Sequence, residues 1–264
     1  MVVSWESDAP KNRPRGDSGY GRVGAVADGK GIEGFWDDRA REDAFYFVDN
    51  RLEYGNPDLE RFWEVGRADL GELLGRLGAA VTPTDTVIDI GCGVGRLSRA
   101  LATQAERVLA IDVSQEMLDR ARDLNRHLDN VQWLHGDGHS LTGIGDAVAD
   151  ACVSHVVFQH LPDPQITLGY VSEMGRVLKP GGWAAFQISN DPGVHRASAE
   201  PARGRLSGLW RRGPQGQDHP AWLGSSVDLD ELHSTSARAG LELEQVQGAG
   251  TQYCIVLARR LTAS

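Results

Sequence analysis

The spacing of apolar residues along this 264-residue chain changes character several times. Up to about residue 34, Gly, Pro, Asp, Arg and Lys mix with no recurring apolar face, and such a segment buries too little surface to offset its ordering entropy. Residues 1–34 are expected to be a flexible tail. From Phe35 the spacing turns helical. Phe35, Trp36, Ala40, Ala44, Phe47 and Val48 recur at roughly helical intervals, and Phe62, Val65, Leu70, Leu73, Leu74 and Leu77 repeat the pattern. Residues 35–82 are expected to form a helical cap, with Gly78 and Pro83 marking its exit.

Beyond Pro83 the pattern alternates between strand and helix. TVIDI at 86–90 reads as a short buried strand. A glycine-rich turn, Gly91 to Gly95, and a helix carrying Leu97, Leu101 and Ala102 follow it. Further strands are expected at 107–111, 131–134, 149–157 and 183–189. The near-continuous apolar run at 149–157 suits a strand covered on both faces. Ser114 caps a helix holding Met117, Leu118, Ala121 and Leu124. Another helix, over 166–178, is expected to stop at Lys179-Pro180-Gly181-Gly182. Alternation of this kind builds a parallel sheet with right-handed crossovers.

Residues 190–226 break the rhythm with Gly, Pro, Arg, His and Trp, too long for an ordinary connection. The stretch follows a strand end, where α/β sheets bind ligands, and is expected to be a substrate lid presenting Trp210 and Trp222. A helix at 228–239 and strands at 241–246 and 252–258 close the chain. The last two, joined through Gly248-Ala249-Gly250, are expected to be antiparallel neighbours or to flank one another at the sheet edge. Residues 83–264 thus read as one α/β domain.

Composition narrows the partners. Hydrophobic residues at 41% and charged residues at 24% are ordinary for a globular protein with a core. No apolar run approaches the ~18–20 residues of a membrane span, and the N-terminus lacks the apolar segment of a secretory signal. Cys92, Cys152 and Cys254 are too few and scattered for a disulfide framework or a zinc site. Buried reduced thiols and a cytoplasmic location are expected. The net charge of −10 opposes nucleic acid, whose binding rests on Lys and Arg neutralising phosphates. The basic stretches at 11–15 and 203–212 are expected to be solvated. A small-molecule acceptor, no membrane, and a monomer or homodimer are the expectations.

The chemistry concentrates at strand ends. In Val87-Ile88-Asp89-Ile90-Gly91-Cys92-Gly93-Val94-Gly95, the glycines let backbone approach a ligand that a Cβ would exclude. A dinucleotide turn has the spacing G-x-G-x-x-G. Here Arg96 stands at its third glycine, Gly95 lies one residue early, and acidic Asp89 precedes the turn. That arrangement suits a ligand with an ammonium better than one with a pyrophosphate. Asp112, ending the next strand, can accept from both hydroxyls of a ribose. Asp137, in Gly136-Asp137-Gly138 after the third, could accept from an adenine amino group. Aspartate also forms turns at strand ends without binding anything; the combination of three such ends favours a nucleoside site.

Residues from about 86 to 259 resemble the class I S-adenosylmethionine-dependent methyltransferases, particularly the small-molecule and ubiquinone-biosynthesis-like group. The matching stretches are VIDIGCGVGRLS, VLAIDVSQEMLDRAR, LHGDGHSL, HVVFQHLPDP and VLKPGGWAAFQIS, about two thirds of the chain in the family's order. The resemblance implies S-adenosyl-L-methionine as cofactor and a Rossmann-like three-layer α/β sandwich. Its seven-stranded, mostly parallel sheet should run 3-2-1-4-5-7-6 with strand 7 antiparallel, here behind an N-terminal helical extension. It places Gly91, Cys92 and Gly93 along the methionine portion, Asp112 on the ribose, and Val113 and Met117 about the adenine. Asp137 and Gly138 should sit at the base edge, and Ser154 and His155 near the sulfonium. Asp89 and Gly95 complete the expected cofactor set. The implied activity is O-, N- or C-methylation of a small molecule, of the kind found in bacterial secondary metabolism.

The family's Asn/Asp-Pro-Pro-Tyr/Phe signature is absent, and Ser154-His155-Val156-Val157-Phe158 stands there. That argues against methylation of nucleobase or glutamine nitrogens of that type. The N-terminal helices, with Trp36, Arg39, Arg41, Tyr46 and Arg51, fit no assignable pattern. Expected general bases are His155 and His160, after the fourth strand; His195 and His219 are further candidates in the insertion. A base typically contributes ~10²–10⁴-fold, while alignment of donor and acceptor is worth ~7–11 kcal/mol. No metal is expected, since His135, Asp137 and His139 alternate around an acid assigned to adenine. Three other readings stay open: an NAD-dependent dehydrogenase, opposed by Arg96; a methyltransferase acting on tRNA or protein, opposed by the acidic balance; and a cofactor-binding protein that transfers no methyl group.

Overall fold

The structure, a computed structural model, describes residues 29–196 and 224–262. Expectations for the tail up to residue 28, the stretch at 203–212, His219, Trp210 and Trp222 lie outside the described residues. Helix α1 (Gly29–Val48) opens the fold, starting before Phe35 because Ile32 already packs into the core. It is two helical pieces. Asp43 adopts extended backbone at φ −162° and ψ 86°, and its carboxylate accepts from the N–H of Tyr46 at 3.1 Å and of Gly55 at 2.6 Å. That contact caps the second piece as an N-cap aspartate does. Helix α2 (Leu59–Leu77) is capped by Asp58, accepting from Arg61 N, and ends at Gly78 in the left-handed region.

The sheet then assembles as sequence alternation requires. Its strands are β1 (Thr86–Ile90), β2 (Arg107–Asp112), β3 (Val131–His135), β4 (Ala149–Ser154), β5 (Leu178–Ile188), β6 (Leu241–Gln247) and β7 (Cys254–Arg260). They lie in the order β3-β2-β1-β4-β5-β7-β6. The first five are parallel, while β7 runs antiparallel to both β5 and β6. The expected α/β topology holds, including the final antiparallel pair. The intervening helices are α3 (Arg96–Ala102), α4 (Gln115–Leu124), α5 (Pro164–Val177), the short α6 (Pro192–Arg196) and α7 (Leu229–Arg238), with a 3₁₀ turn at Phe158–His160.

Alternate strand residues serve opposite layers. Ile88, Ile90, Leu109 and Ile111 join Val171 and Met174 of α5, whereas Val87, Val108 and Ala110 join Leu70, Leu73 and Leu77 of α2 and Leu97 and Leu101 of α3. Helix α4 begins where expected, with Ser114 Oγ accepting from Met117 N at 3.1 Å.

Two boundaries differ from the sequence pattern. Strand β4 stops at Ser154 rather than Val157, because Val156 turns into the left-handed region at φ 60°. A β-branched residue adopts that conformation only under tertiary constraint. Strand β5 begins at Leu178, so Lys179 to Gly182 lies inside it instead of ending α5. The register slips there, pairing Ala149 with Leu178 but Ala151 with Trp183. Lys179 Nζ holds the slip by binding both oxygens of Asp150, at 2.8 and 2.7 Å.

Candidate functional site

The C-terminal ends of β1 and β2 meet in one turn. Gly91, Gly93 and Gly95 take φ of 75°, 54° and 91°, which a side chain would strain. The N–H groups of Gly91 and Cys92 donate to Ile111 O at 2.8 and 3.0 Å, pinning the turn to β2. Gly93 N donates to Asp112 Oδ2 at 2.7 Å and Ser114 N to Asp112 Oδ1 at 2.9 Å. Asp112 is thereby fixed between the turn and the start of α4. Burial raises its pKa, against the hydrogen bonds from Ser114 and Gly93.

A cleft of about 970 Å³, including its open mouth, lies over this turn. Its floor is Asp89, Gly91, Cys92, Gly93, Arg96 and Asp112; Val113, Met117, Gly138 and Tyr170 flank one end. Ile32, Trp36, Phe47 and Val48 from α1 cover it, and His155, Val156, Val157 and His160 close the far side. The fit to an adenosyl amino acid rests on two cradles. A Cβ on Gly91 would fall 2.5 Å from Val157, and one on Gly93 would fall 2.9 Å from Val48. The turn therefore offers bare backbone to the cleft where any other residue would block it. Asp89, 2% exposed, accepts from Ser98 Oγ at 2.6 Å. Burial pushes its carboxyl up to about 6, moderated by Ser98 and by the charge of Arg96.

The other expected residues divide. Gly91, Cys92, Gly93, Asp89, Asp112, Val113, Met117, Gly138, His155 and His160 all line the cleft. Gly95, Asp137 and Ser154 are not among the lining residues. Gly95 caps α3, and a Cβ there would strike Trp133 at 2.6 Å. Asp137 spends its carboxylate on its own loop, accepting from His139 N, Ser140 N and Ser140 Oγ at 2.8, 2.7 and 2.6 Å. Ser154 is buried and donates to Ile90 O at 3.0 Å, tying β4 to β1. His195 also lies outside the lining set; its Nε2 is 2.7 Å from Ser189 Oγ.

The two central histidines differ. His160 packs edge-on against Trp36, with ring centroids 5.8 Å apart. His155 Nδ1 is enclosed and has no hydrogen-bond partner among the described residues. Burial, aided by the nearby Arg96 charge, lowers its pKa to about 4, so the ring is neutral. Sequence reasoning placed no role on Tyr170 and read Arg96 only as a departure from a glycine. Arg96 is buried in an ion network: it pairs with Asp69 of α2, Asp69 accepts from Arg51 Nη2 at 2.6 Å, and Arg51 Nε binds Asp49 at 2.7 Å. Burial pulls the pKa of Asp69 upward, but Arg51 and Arg96 outweigh it and the net shift is down. Among the described residues, no cluster of three or more His, Cys, Asp or Glu could hold a metal, and no helix is long and apolar enough to cross a membrane.

Comparison with known proteins agrees with this geometry. Residues 88–186 match the family model described as a methyltransferase domain. The chain is 30% identical over 177 residues to the biotin biosynthesis bifunctional protein BioHC of Teredinibacter turnerae, covering 63% of this chain and 28% of that one. It is 28% identical to the ubiquinone biosynthesis O-methyltransferase of Hydrogenovibrio crunogenus, covering 67% and 70%. The fold superimposes with a TM-score of 0.61, at 18% identity, on Haemonchus contortus phosphoethanolamine N-methyltransferase 1 in complex with phosphoethanolamine and S-adenosylhomocysteine, covering 90% of this chain and 50% of that one. Residues 88–186 are thus similar to a methyltransferase domain, and the seven-stranded sheet that holds them is a fold shared with a methyltransferase of solved structure.

Proposed function

We propose that this protein transfers a methyl group from S-adenosylmethionine to a small-molecule acceptor held beneath α1. The observation that carries the reading is a single cleft lined by the glycine turn and Asp112 together with His155 and His160. In this reading Asp112 accepts from the ribose, Gly91, Cys92 and Gly93 border the amino-acid tail, and Val113 and Met117 flank the base. The cofactor supplies an electrophilic methyl on a sulfonium. What remains for the chain is alignment and exclusion of water.

Ile32, Trp36, Phe47 and Val48 exclude water from the covered end of the cleft. His155, neutral with a pKa near 4, is a feeble base whose Nδ1 is enclosed away from solvent. Catalytic bases work best near the operating pH, so His155 is assigned to forming part of the wall against which an acceptor hydroxyl or amine lies. Removal of its proton is left to His160, in contact with Trp36, or to solvent. An acceptor small enough to fit under α1 accords with the net charge of −10, which disfavours tRNA. Names such as ubiquinone biosynthesis O-methyltransferase among the relatives point the same way. Three free, buried cysteines support a cytoplasmic location.

Incubation of the purified protein with methyl-labelled cofactor and a cell extract, followed by ultrafiltration, tests the assignment. Label should appear in the low-mass fraction. Label confined to RNA or protein would overturn the small-molecule reading.

A further inference from the structure

His160 lines the cleft from the 3₁₀ turn Phe158–His160, and a chain of amides behind it fixes which ring nitrogen carries the proton. The chain starts at a group that cannot be reversed. Gln252 O is a backbone carbonyl and only accepts. Gln187, on β5 and 2% exposed, donates to it from Nε2 at 3.1 Å. A flipped Gln187 would set two oxygens against each other, so its amide has one orientation. The same Nε2 donates to Gln159 Oε1 at 2.6 Å, which turns Gln159 Nε2 toward His160 Nε2, 3.2 Å away. Gln159 is thereby the donor in that last bond, and His160 Nε2 supplies its lone pair. The ring proton then sits on Nδ1. Protonation of Nε2 would bring two N–H groups face to face. The backbone is held as well, since a Cβ on Gly224 would lie 2.9 Å from His160 Cα.

We propose that Gln187 and Gln159 are positioning residues that hold His160 in the neutral Nδ1–H form, so that it takes no proton from the acceptor. The inference rests on the methyl transfer proposed above and decides where the acceptor's proton goes. The other titratable groups of the lining do not replace His160. His155 is neutral and its Nδ1 is enclosed. Burial pushes the Cys92 thiol and the Tyr170 phenol up, so both keep their protons. Asp89 is bonded to Ser98 and Asp112 to the glycine turn, on the cofactor's side in that reading. With these described residues, the cleft suits an acceptor whose oxygen is already ionised at neutral pH: a carboxylate or an acidic phenol. Its oxyanion forms the new bond to the methyl carbon as the carbon–sulfur bond breaks. The bonding electrons return to sulfur, and no proton has to leave. An aliphatic alcohol, which keeps its proton at neutral pH, would need a base that this lining does not offer.

Two measurements test this. The first is ¹⁵N NMR of the histidine rings with S-adenosylhomocysteine at neutral pH, with His160→Gln identifying the His160 signals. His160 should carry its proton on Nδ1 and none on Nε2. A proton on Nε2, alone or in an imidazolium, would overturn the proposal. Gln187→Glu replaces the donor by an acceptor, reverses the Gln159 amide and should move the ring proton to Nε2. Should that variant not fold, Gln159→Leu, which removes the last donor at a half-buried position, should let the Nε2–H form appear. A ring spectrum unchanged from the wild type would overturn the chain's role. The second measurement is the chemistry of the product formed from methyl-labelled cofactor and a cell extract. Label released as methanol by mild alkali marks a carboxylate acceptor, and alkali-stable label on an aromatic oxygen marks a phenol. Label on an aliphatic hydroxyl, or on any atom other than oxygen, would overturn the acceptor class. Absence of any transfer would sink the underlying function, on which the ring spectrum, needing no turnover, does not depend.

Discussion

Gly93 donates its backbone N–H to Oδ2 of Asp112 at 2.7 Å, joining the tip of the glycine turn to the carboxylate that ends β2. The bond orients the acid and also fixes the turn. Asp112→Ala should therefore weaken S-adenosylhomocysteine binding by about 100-fold, the scale of one or two hydrogen bonds to a charged group at ~1.5–3 kcal/mol each. The melting temperature should fall by only a few degrees. Calorimetric affinity within threefold of the wild type would remove the ribose assignment.

Asp89 gives the site a pH dependence. Burial holds its carboxyl near 6, above the ordinary 3.8, so it is protonated on modest acidification. A ligand ammonium needs the ionised form. Affinity for S-adenosylhomocysteine should therefore be flat above pH 7 and fall by up to about tenfold per unit as pH drops below 6. Asp89→Asn should bind weakly at every pH, without that slope. An identical slope in the variant would assign the titration elsewhere.

His155 should shape stability in a separate window. Its folded pKa of about 4 lies below the ordinary 6.5. Above 6.5 both folded and unfolded chains carry it neutral. Between 6.5 and 4 the unfolded chain takes up a proton that the folded one refuses, so stability is lost as pH falls. The loss is up to about 3 kcal/mol. Denaturant titrations at pH 7.5 and pH 5 should show a smaller difference in His155→Gln than in the wild type.

Asp37 joins the covering helix to the body. Its Oδ1 accepts from Ser114 Oγ at 2.6 Å and from Glu116 N at 3.1 Å, at the start of α4. Asp37→Ala should speed release of S-adenosylhomocysteine by about tenfold, as loss of about 1.4 kcal/mol of closure predicts. Stopped-flow displacement reads this directly, and an unchanged off-rate would show that α1 does not cover the bound ligand.

Gly224 has φ 66°, and a Cβ there would lie 1.7 Å from Gln159 O. Ser225 Oγ next donates to Leu161 O at 2.8 Å, so the returning chain presses on the turn that holds His160. Gly224→Ala combines left-handed strain with a backbone clash and should cost about 3 kcal/mol. A thermal melt of the variant measures it; a loss below about 1 kcal/mol would mean that this backbone moves freely.

The glycine turn, Asp112 and the strand order were legible in the sequence because each follows from a local rule: alternation, glycine at positive φ, an acid at a strand end. What was not legible depends on contacts distant in sequence. The apolar run to Val157 reads as one strand, yet Val156 is forced out of it by its surroundings. Lys179 to Gly182 reads as a helix stop, but Asp150, twenty-nine residues earlier, draws Lys179 into a bulged strand. Asp137 has the right chemistry for a base edge, yet its own Ser140 and His139 satisfy it first, as side chain-to-backbone bonds often do. Arg96 meets Asp69 across 27 residues, and no spacing rule marks that pair.

Asp43 divides the covering helix, and the two parts answer to different anchors. Phe47 and Val48 follow the break, while Ile32 and Trp36 precede it on the part held through Asp37 and the Trp36–His160 ring contact. The roof over the cleft is therefore laid as two separate beams, each fastened by its own contacts.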